Sequence, residues 1–138
     1  MSKMQELQGV VLLDVSPGGE EAFDASFLER TEHPVLVCHG PGDDTCPLLT
    51  GEGCAMFEAA HGIVFKLDLE RPQHRAILLQ YRRLAGPELP IRVLVADAGQ
   101  AERYAGVLAD VEVWFREPTV VDLDGFAAEV ESVDRLRT

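Results

Sequence analysis

All three cysteines fall inside one short segment, Cys38-His39-Gly40-Pro41-Gly42-Asp43-Asp44-Thr45-Cys46-Pro47-Leu48-Leu49-Thr50-Gly51-Glu52-Gly53-Cys54. The apolar run Pro34-Val35-Leu36-Val37 stops where this segment starts. Cys38 is therefore expected at the carboxyl end of a buried strand, the edge at which open α/β sheets bind ligands and do chemistry. Thiols and an imidazole at such an edge support several kinds of chemistry. Cys38 with His39 makes a nucleophile and its partner in a small cysteine enzyme. Cys38 with Cys46 and Cys54 makes a redox or metal-sensing set, for zinc or an iron–sulfur cluster, which His39 or Glu58 would complete. The spacing Cys-x₇-Cys-x₇-Cys contains no paired Cys-x₂-Cys knuckle. Taken singly, Cys54 also reads as a small buried hydrophobe and Cys46 as a loop thiol.

The elements that would hold this segment alternate in type. Five apolar runs, Gly9–Asp14, Pro34–Cys38, Ile63–Asp68, Ile91–Ala96 and Val111–Phe115, are separated by stretches of helical character. The first four are nearly continuous in Val, Ile and Leu, as in parallel strands covered on both faces; the fifth alternates and belongs nearer an edge. Pro72 opens a helix that Gly86-Pro87 stops. Thr119-Val120-Val121-Asp122 is a capping-box-like start, followed by Leu123, Phe126, Ala127, Val130 and Val133 on one face. Gln100–Leu108 reads as a shorter helix, and Gly19–Arg30 as one with Phe23 and Phe27 a turn apart. The stretch 45–60 is broken by Pro47, Gly51 and Gly53, so a loop and then a helix from about Glu52 are expected. No repeat or linker interrupts residues 1–138. The prediction is a single (βα)₅ domain, a three-layer α/β sandwich with a parallel five-stranded sheet in the flavodoxin-like order 2-1-3-4-5.

In that arrangement the residues ending the strands gather on one edge: Asp14, Cys38 and His39, Asp68, Asp97 and Arg116. Here the chain resembles response-regulator receiver domains of the CheY type. Val64-Phe65-Lys66-Leu67-Asp68, with Pro72 four residues on, is similar to the receiver's phosphoacceptor strand. Val93-Leu94-Val95-Ala96 resembles its Val-Leu-Thr-Ala. Val113-Trp114-Phe115-Arg116-Glu117-Pro118 resembles the strand leading to its lysine-proline turn. The resemblance implies Asp68 as phosphoacceptor-like residue, Asp14 as its acidic neighbour and Arg116 in place of the lysine. It also implies a protein partner or homodimer surface across Gln100–Val133.

The chain departs from the pattern where the chemistry sits. Asp14 is followed by Val15 and not by a second acid, Val95 replaces the hydroxyl, and Glu117 is inserted before Pro118. Asp14 and Asp68 with waters would hold Mg²⁺ only weakly, because that ion asks for several oxygens in near-octahedral geometry. The expectation is a pseudo-receiver, non-enzymatic and needing no cofactor, in which Asp68 equally serves to cap its own loop. A second, narrower resemblance links Val37-Cys38-His39-Gly40-Pro41, with Pro17-Gly18-Gly19 upstream, to the cysteine elbow of PfpI-like peptidases. Asp43 and Asp44 stand where that family's helix begins, and neighbouring acids raise a thiol's pKa.

Composition narrows the partners. The 138 residues carry 24 acids against 12 bases, a net charge of −12, which repels phosphate backbones and anionic lipid. No nucleic-acid or membrane partner is expected. The N-terminal stretch lacks an apolar signal core, so the expected location is cytoplasmic, where three cysteines are an odd set and not a disulfide framework. His33 and His74 read as solvated surface residues. Arg71, Arg75, Arg82 and Arg83 form local basic relief that pairs with the protein's own carboxylates or an acidic partner.

Overall fold

A computed structural model describes residues 9–15, 26, 28, 30, 34–40 and 46–137. The apolar runs form strands β1 (Val11–Val15), β2 (Val35–Cys38), β3 (Gly62–Lys66), β4 (Ile91–Leu94) and β5 (Glu112–Trp114). Every pairing is parallel and the order is β2-β1-β3-β4-β5, as the alternation of elements predicted. Helices α1 (Pro47–Thr50), α2 (Ala55–Ala59), α3 (Pro72–Ala85), α4 (Ala98–Arg103), α5 (Ala105–Leu108) and α6 (Val120–Arg137), with a 3₁₀ turn at Gly86–Glu88, complete the described elements.

The period-two alternation of strand side chains divides the apolar residues between two cores. Leu12, Ile63, Phe65 and Val93 face Ile77, Leu78 and Tyr81 of α3 and Leu108 of α5. Val11, Leu13, Val15 and Val64 face Leu28 and, from α6, Phe126, Ala127 and Val130. β1 and β3 are buried along their whole length, whereas β2, at the edge, is half-buried throughout.

Several boundaries differ from expectation. β1 runs to Val15, so Asp14 lies inside the strand and does not follow it. The region 45–60 holds two short helices, because Gly51 ends α1 in the left-handed conformation (φ 86°) and Gly53 (φ 85°) turns the chain again before α2. The predicted helix Gln100–Leu108 is two, α4 and α5, broken at Tyr104 (φ −112°, ψ 29°). The α6 start is as read: the Asp122 N–H donates to Thr119 Oγ1 at 3.3 Å and the Thr119 N–H to Asp122 Oδ2 at 2.9 Å. The expected helix over Gly19–Arg30, with Phe23 and Phe27, lies outside the described residues except for Ser26, Leu28 and Arg30, which are helical. Pro17-Gly18-Gly19, His33, Pro41–Thr45 and the Val133 side chain also lie outside them.

Candidate functional site

The carboxyl ends of β3, β4 and β5 frame a shallow cleft of about 330 Å³, lined in part by Asp68, Val95, Gln100, Phe115, Arg116 and Glu117. Asp68 is exposed at its mouth, two residues beyond the end of β3. Its Oδ1 accepts from the Glu70 N–H at 3.0 Å and its carbonyl from the Arg71 N–H at 3.1 Å, so it does cap the loop into α3. The same carbonyl accepts from His74 Nδ1 at 3.0 Å, which fixes the proton on that nitrogen. His74 is only 3% exposed and burial lowers its pKa; the solvated histidine read from the sequence is instead a buried, uncharged one. Amphipathic spacing hid this, because the first turn of α3 lies beneath the Cys38–Gly40 turn: a Cβ on Gly40 would meet His74 Nε2 at 3.6 Å.

Two basic residues, Lys66 at the end of β3 and Arg116 after β5, find partners of their own. Lys66 ends β3 with its side chain 2% exposed and pairs with Glu117, which directly precedes Pro118. An ammonium in a strand of otherwise apolar residues needs such a partner, and that was the sequence signal for a pairing the sequence reading did not make. Arg116 is held at the start of α6, donating to Asp122 Oδ2 at 2.8 Å and to the Glu117 carbonyl at 3.3 Å. Val95 is buried, and its N–H donates to the Trp114 carbonyl.

A second cluster lies deeper. Asp14 is fully buried on the α3 side of β1, and Tyr81 donates to its Oδ2 at 2.7 Å. Burial raises the Asp14 pKa to about 7, against the opposing pull of hydrogen bonds from Tyr81 and Cys38. The same burial and the Asp14 charge push the Tyr81 hydroxyl upward. Asp14 is therefore not the edge carboxylate the sequence suggested: β1 extends one residue past it, and its side chain turns into the core beneath α3. The Mg²⁺ pair Asp14 and Asp68 does not fit this geometry, since one carboxyl is sealed inside against Tyr81 and the other is exposed and capping a loop.

Cys38, Cys46 and Cys54 are free thiols, each half-buried against the core that includes Tyr81. Among the described residues no group of three His, Cys, Asp or Glu side chains is placed to hold a metal ion. The three-cysteine ligand set for zinc or an iron–sulfur cluster is thus not formed: the thiols pack against the apolar core, and Cys38 is the one placed beside Asp14. Burial, first, and the Asp14 charge also push the Cys38 thiol up, the opposite of the shift that activates a nucleophile. His39 Nδ1 lies 3.2 Å from the Val15 carbonyl.

Beyond the cleft, Glu70 gathers Gln100 Nε2, Arg103 Nη2 and the Tyr104 hydroxyl at 2.8, 2.6 and 2.8 Å, holding its carboxyl down at about 2. Arg75 lies over the Tyr104 ring at 4.5 Å and donates to the Leu69 carbonyl, and Arg82 donates to the Val107 carbonyl. The basic relief predicted from α3 is in this part spent on carbonyls and a ring rather than on carboxylates. Trp114 packs edge-on against Phe126, while Phe115 is 55% exposed. Among the described residues no helix is long and apolar enough to cross a membrane.

No protein-family model and no curated protein sequence matches the chain. Solved structures do match, and several of them are receiver domains. A CheY-like response-regulator receiver domain from Methanospirillum hungatei is 13% identical, with a TM-score of 0.61 over 94% of this chain and 98% of that one. A receiver domain from Clostridium thermocellum is 14% identical, with a TM-score of 0.64 over 96% and 100%. The receiver domain of the sensor histidine kinase PA1611 from Pseudomonas aeruginosa, solved with magnesium in its active-site cleft, is 14% identical, with a TM-score of 0.65 over 91% and 98%. The chain has the CheY-like, flavodoxin-like receiver fold.

Proposed function

We propose that the chain is a receiver-like regulatory domain that no longer transfers a phosphoryl group and signals through protein contacts. The observation that carries this reading is the Lys66–Glu117 pair. Glu117 is inserted between Arg116, which stands in place of the receiver's lysine, and Pro118, and its carboxylate is engaged by an ammonium from β3. An acid there repels a phosphoryl group on Asp68 where a cation would stabilise it, and with Val95 in the hydroxyl position little electrostatic support for transfer is left. Asp68 keeps its position and acts as a loop cap. No metal step is invoked, because the Asp14 carboxyl is turned away from the edge.

The contact surface implied by the resemblance, Gln100–Val133, is supported by its exposed apolar residues. Phe115, Val120 and Val121 are 55%, 50% and 79% exposed. Apolar side chains this open, close together in the chain and flanked by Arg116 and Asp122, suit a protein partner or a second copy of the domain. The net charge of −12 favours a partner with a basic rim and argues against nucleic acid and anionic membrane. A cytoplasmic location accords with free thiols.

The test is incubation of the whole chain with acetyl phosphate and Mg²⁺, followed by intact-mass measurement. No phosphoryl increment is expected. An increment that disappears in Asp68→Asn would restore an active receiver and overturn the reading.

A further inference from the structure

Within the contact surface Gln100–Val133 lies a strand with one bare side. β5 is last in the sheet order, so it is bonded on one side only, to β4. In a parallel ladder alternate residues supply those bonds. Here they are Glu112 and Trp114: the Val95 N–H donates to the Trp114 carbonyl, and the register pairs Arg92 with Glu112 and Leu94 with Trp114. The groups between them therefore point away from the sheet. These are the carbonyls of Val111 and Val113 and the N–H groups of Val113 and Phe115. Among the described residues none of them has a hydrogen-bond partner. A groove of about 350 Å³, lined by Val113, Trp114, Phe115, Arg116 and Asp122, lies alongside the strand.

We propose that a second copy of the domain covers this edge, its β5 pairing antiparallel with this one about a two-fold axis at Val113, so that the two sheets become one. The proposal rests on the reading of Gln100–Val133 as a contact surface and names its occupant. The free backbone groups set the register. With Val113 opposite the partner's Val113, each N–H donates to the other's carbonyl. The Phe115 N–H then donates to the partner's Val111 carbonyl, and the reverse bond follows by symmetry. Every outward group of both strands is satisfied.

The side chains agree with that register. Val111 and Val113 lie on one face, packed in part against the core beneath α3 and α5, and Phe115 follows them at period two. Phe115, 55% exposed, comes opposite the partner's Val111, an aromatic–β-branched pair of the kind that stabilises antiparallel strands. One step further out, Arg116 comes opposite the partner's Asp110, which is exposed. The bonds of Arg116 to Asp122 and to the Glu117 carbonyl use Nη1 alone, so the rest of its guanidinium is open to that carboxylate. Glu112, which approaches its own copy diagonally, already has Arg92 at 3.4 Å. Each copy carries a net charge of −12, and one short strand makes a small interface, so the dimer is weak and reversible.

The experiment is sedimentation velocity on the whole chain from about 10 μM to about 1 mM at about 0.15 M salt, with amide exchange followed by NMR over the same range. Self-association is expected. In dilute solution the Glu112 and Trp114 amides should be protected and those of Val113 and Phe115 should exchange freely; as concentration rises, the latter two should gain about tenfold protection or more. Phe115→Lys should abolish both effects. Arg116→Glu and Asp110→Lys each set like charges opposite one another, so each should weaken self-association about tenfold, and an equimolar mixture should recover it as a heterodimer in which both pairs attract. Should Asp110→Lys not fold, because that backbone is left-handed (φ 65°), Arg116→Glu and the exchange pattern decide. A wild type that stays monomeric throughout would leave the edge to an extended segment of another protein and overturn the proposal. Self-association without protection at Val113 and Phe115, or a mixture that associates no better than its components, would overturn it too. A phosphoryl increment on Asp68 is read separately by mass, so it would defeat the pseudo-receiver reading and leave this one standing.

Discussion

Turning Asp14 toward α3 rather than toward the sheet edge exchanges a metal-ligand role for a proton-binding one. Its carboxyl has no exposure, with Tyr81 donating to Oδ2 and the Cys38 thiol close by. A buried acid of this kind prefers its neutral form, so the fold favours protonation. The sign follows directly. The folded pKa of about 7 exceeds the ordinary carboxyl value near 3.8, so the folded state binds more protons than the unfolded one between those limits. The stabilisation this gives is complete below about pH 4 and is lost as pH rises through about 7. Asp14→Asn keeps the shape and an acceptor for Tyr81 but cannot ionise. Urea denaturation at pH 5 and pH 8 should show the variant gaining on the wild type as pH rises, by on the order of 3 kcal/mol at most. A stability difference that does not change with pH would mean that Asp14 is not the neutral buried acid described. From sequence, Asp14 was identifiable as special, an acid ending an apolar run. The face to which it turns was not, because that depends on whether β1 ends at Asp14 or at Val15.

Among elements, punctuation was more legible than packing. Pro72, Gly86, Thr119 and Asp122 mark helix ends through local backbone chemistry: α3 begins and ends, and α6 begins, within a residue or two of them. The break between α4 and α5 has no such mark. Tyr104 is held by Glu70 from the loop after β3 and by Arg75 from α3, and a tertiary clamp of that kind leaves no trace in local spacing. Gly62 is another such case. It opens β3 beneath α6, and a Cβ there would come within 2.4 Å of Val130 Cγ2 and 3.0 Å of Phe126 Cζ. These are buried side chains with little room to retreat, Val130 and Phe126 being 0% and 1% exposed. Gly62→Ala should destabilise the protein by about 1–3 kcal/mol through overpacking. Gly106→Ala, whose Cβ would meet nothing within 4 Å, is the control and should be close to neutral or slightly stabilising. Equal thermal midpoints for the two variants would contradict the close seating of α6 on β3.

Across the molecule, the strand order was readable because parallel connections are right-handed and buried strands are continuous in apolar residues. The chemistry of the edge was less so: Lys66, Glu117 and Gln100 acquire meaning only when β3, β4 and β5 stand side by side. The same architecture predicts an uneven distribution of stability. β1 and β3 are buried throughout and bonded on both sides, so their amides should open only with global unfolding. Residues 46–60 attach to the body through Leu48, Phe57 and the half-buried thiols, with the backbone bonds found there closing locally. Few buried contacts and no ladder to a strand favour opening of this segment alone. Hydrogen exchange on the reduced protein should therefore show amides of 46–60 exchanging through a local opening whose rate is unaffected by low denaturant, while β1 and β3 follow the global denaturant dependence. If 46–60 instead shared the protection and denaturant slope of β1 and β3, the segment would be an integral part of the cooperative core.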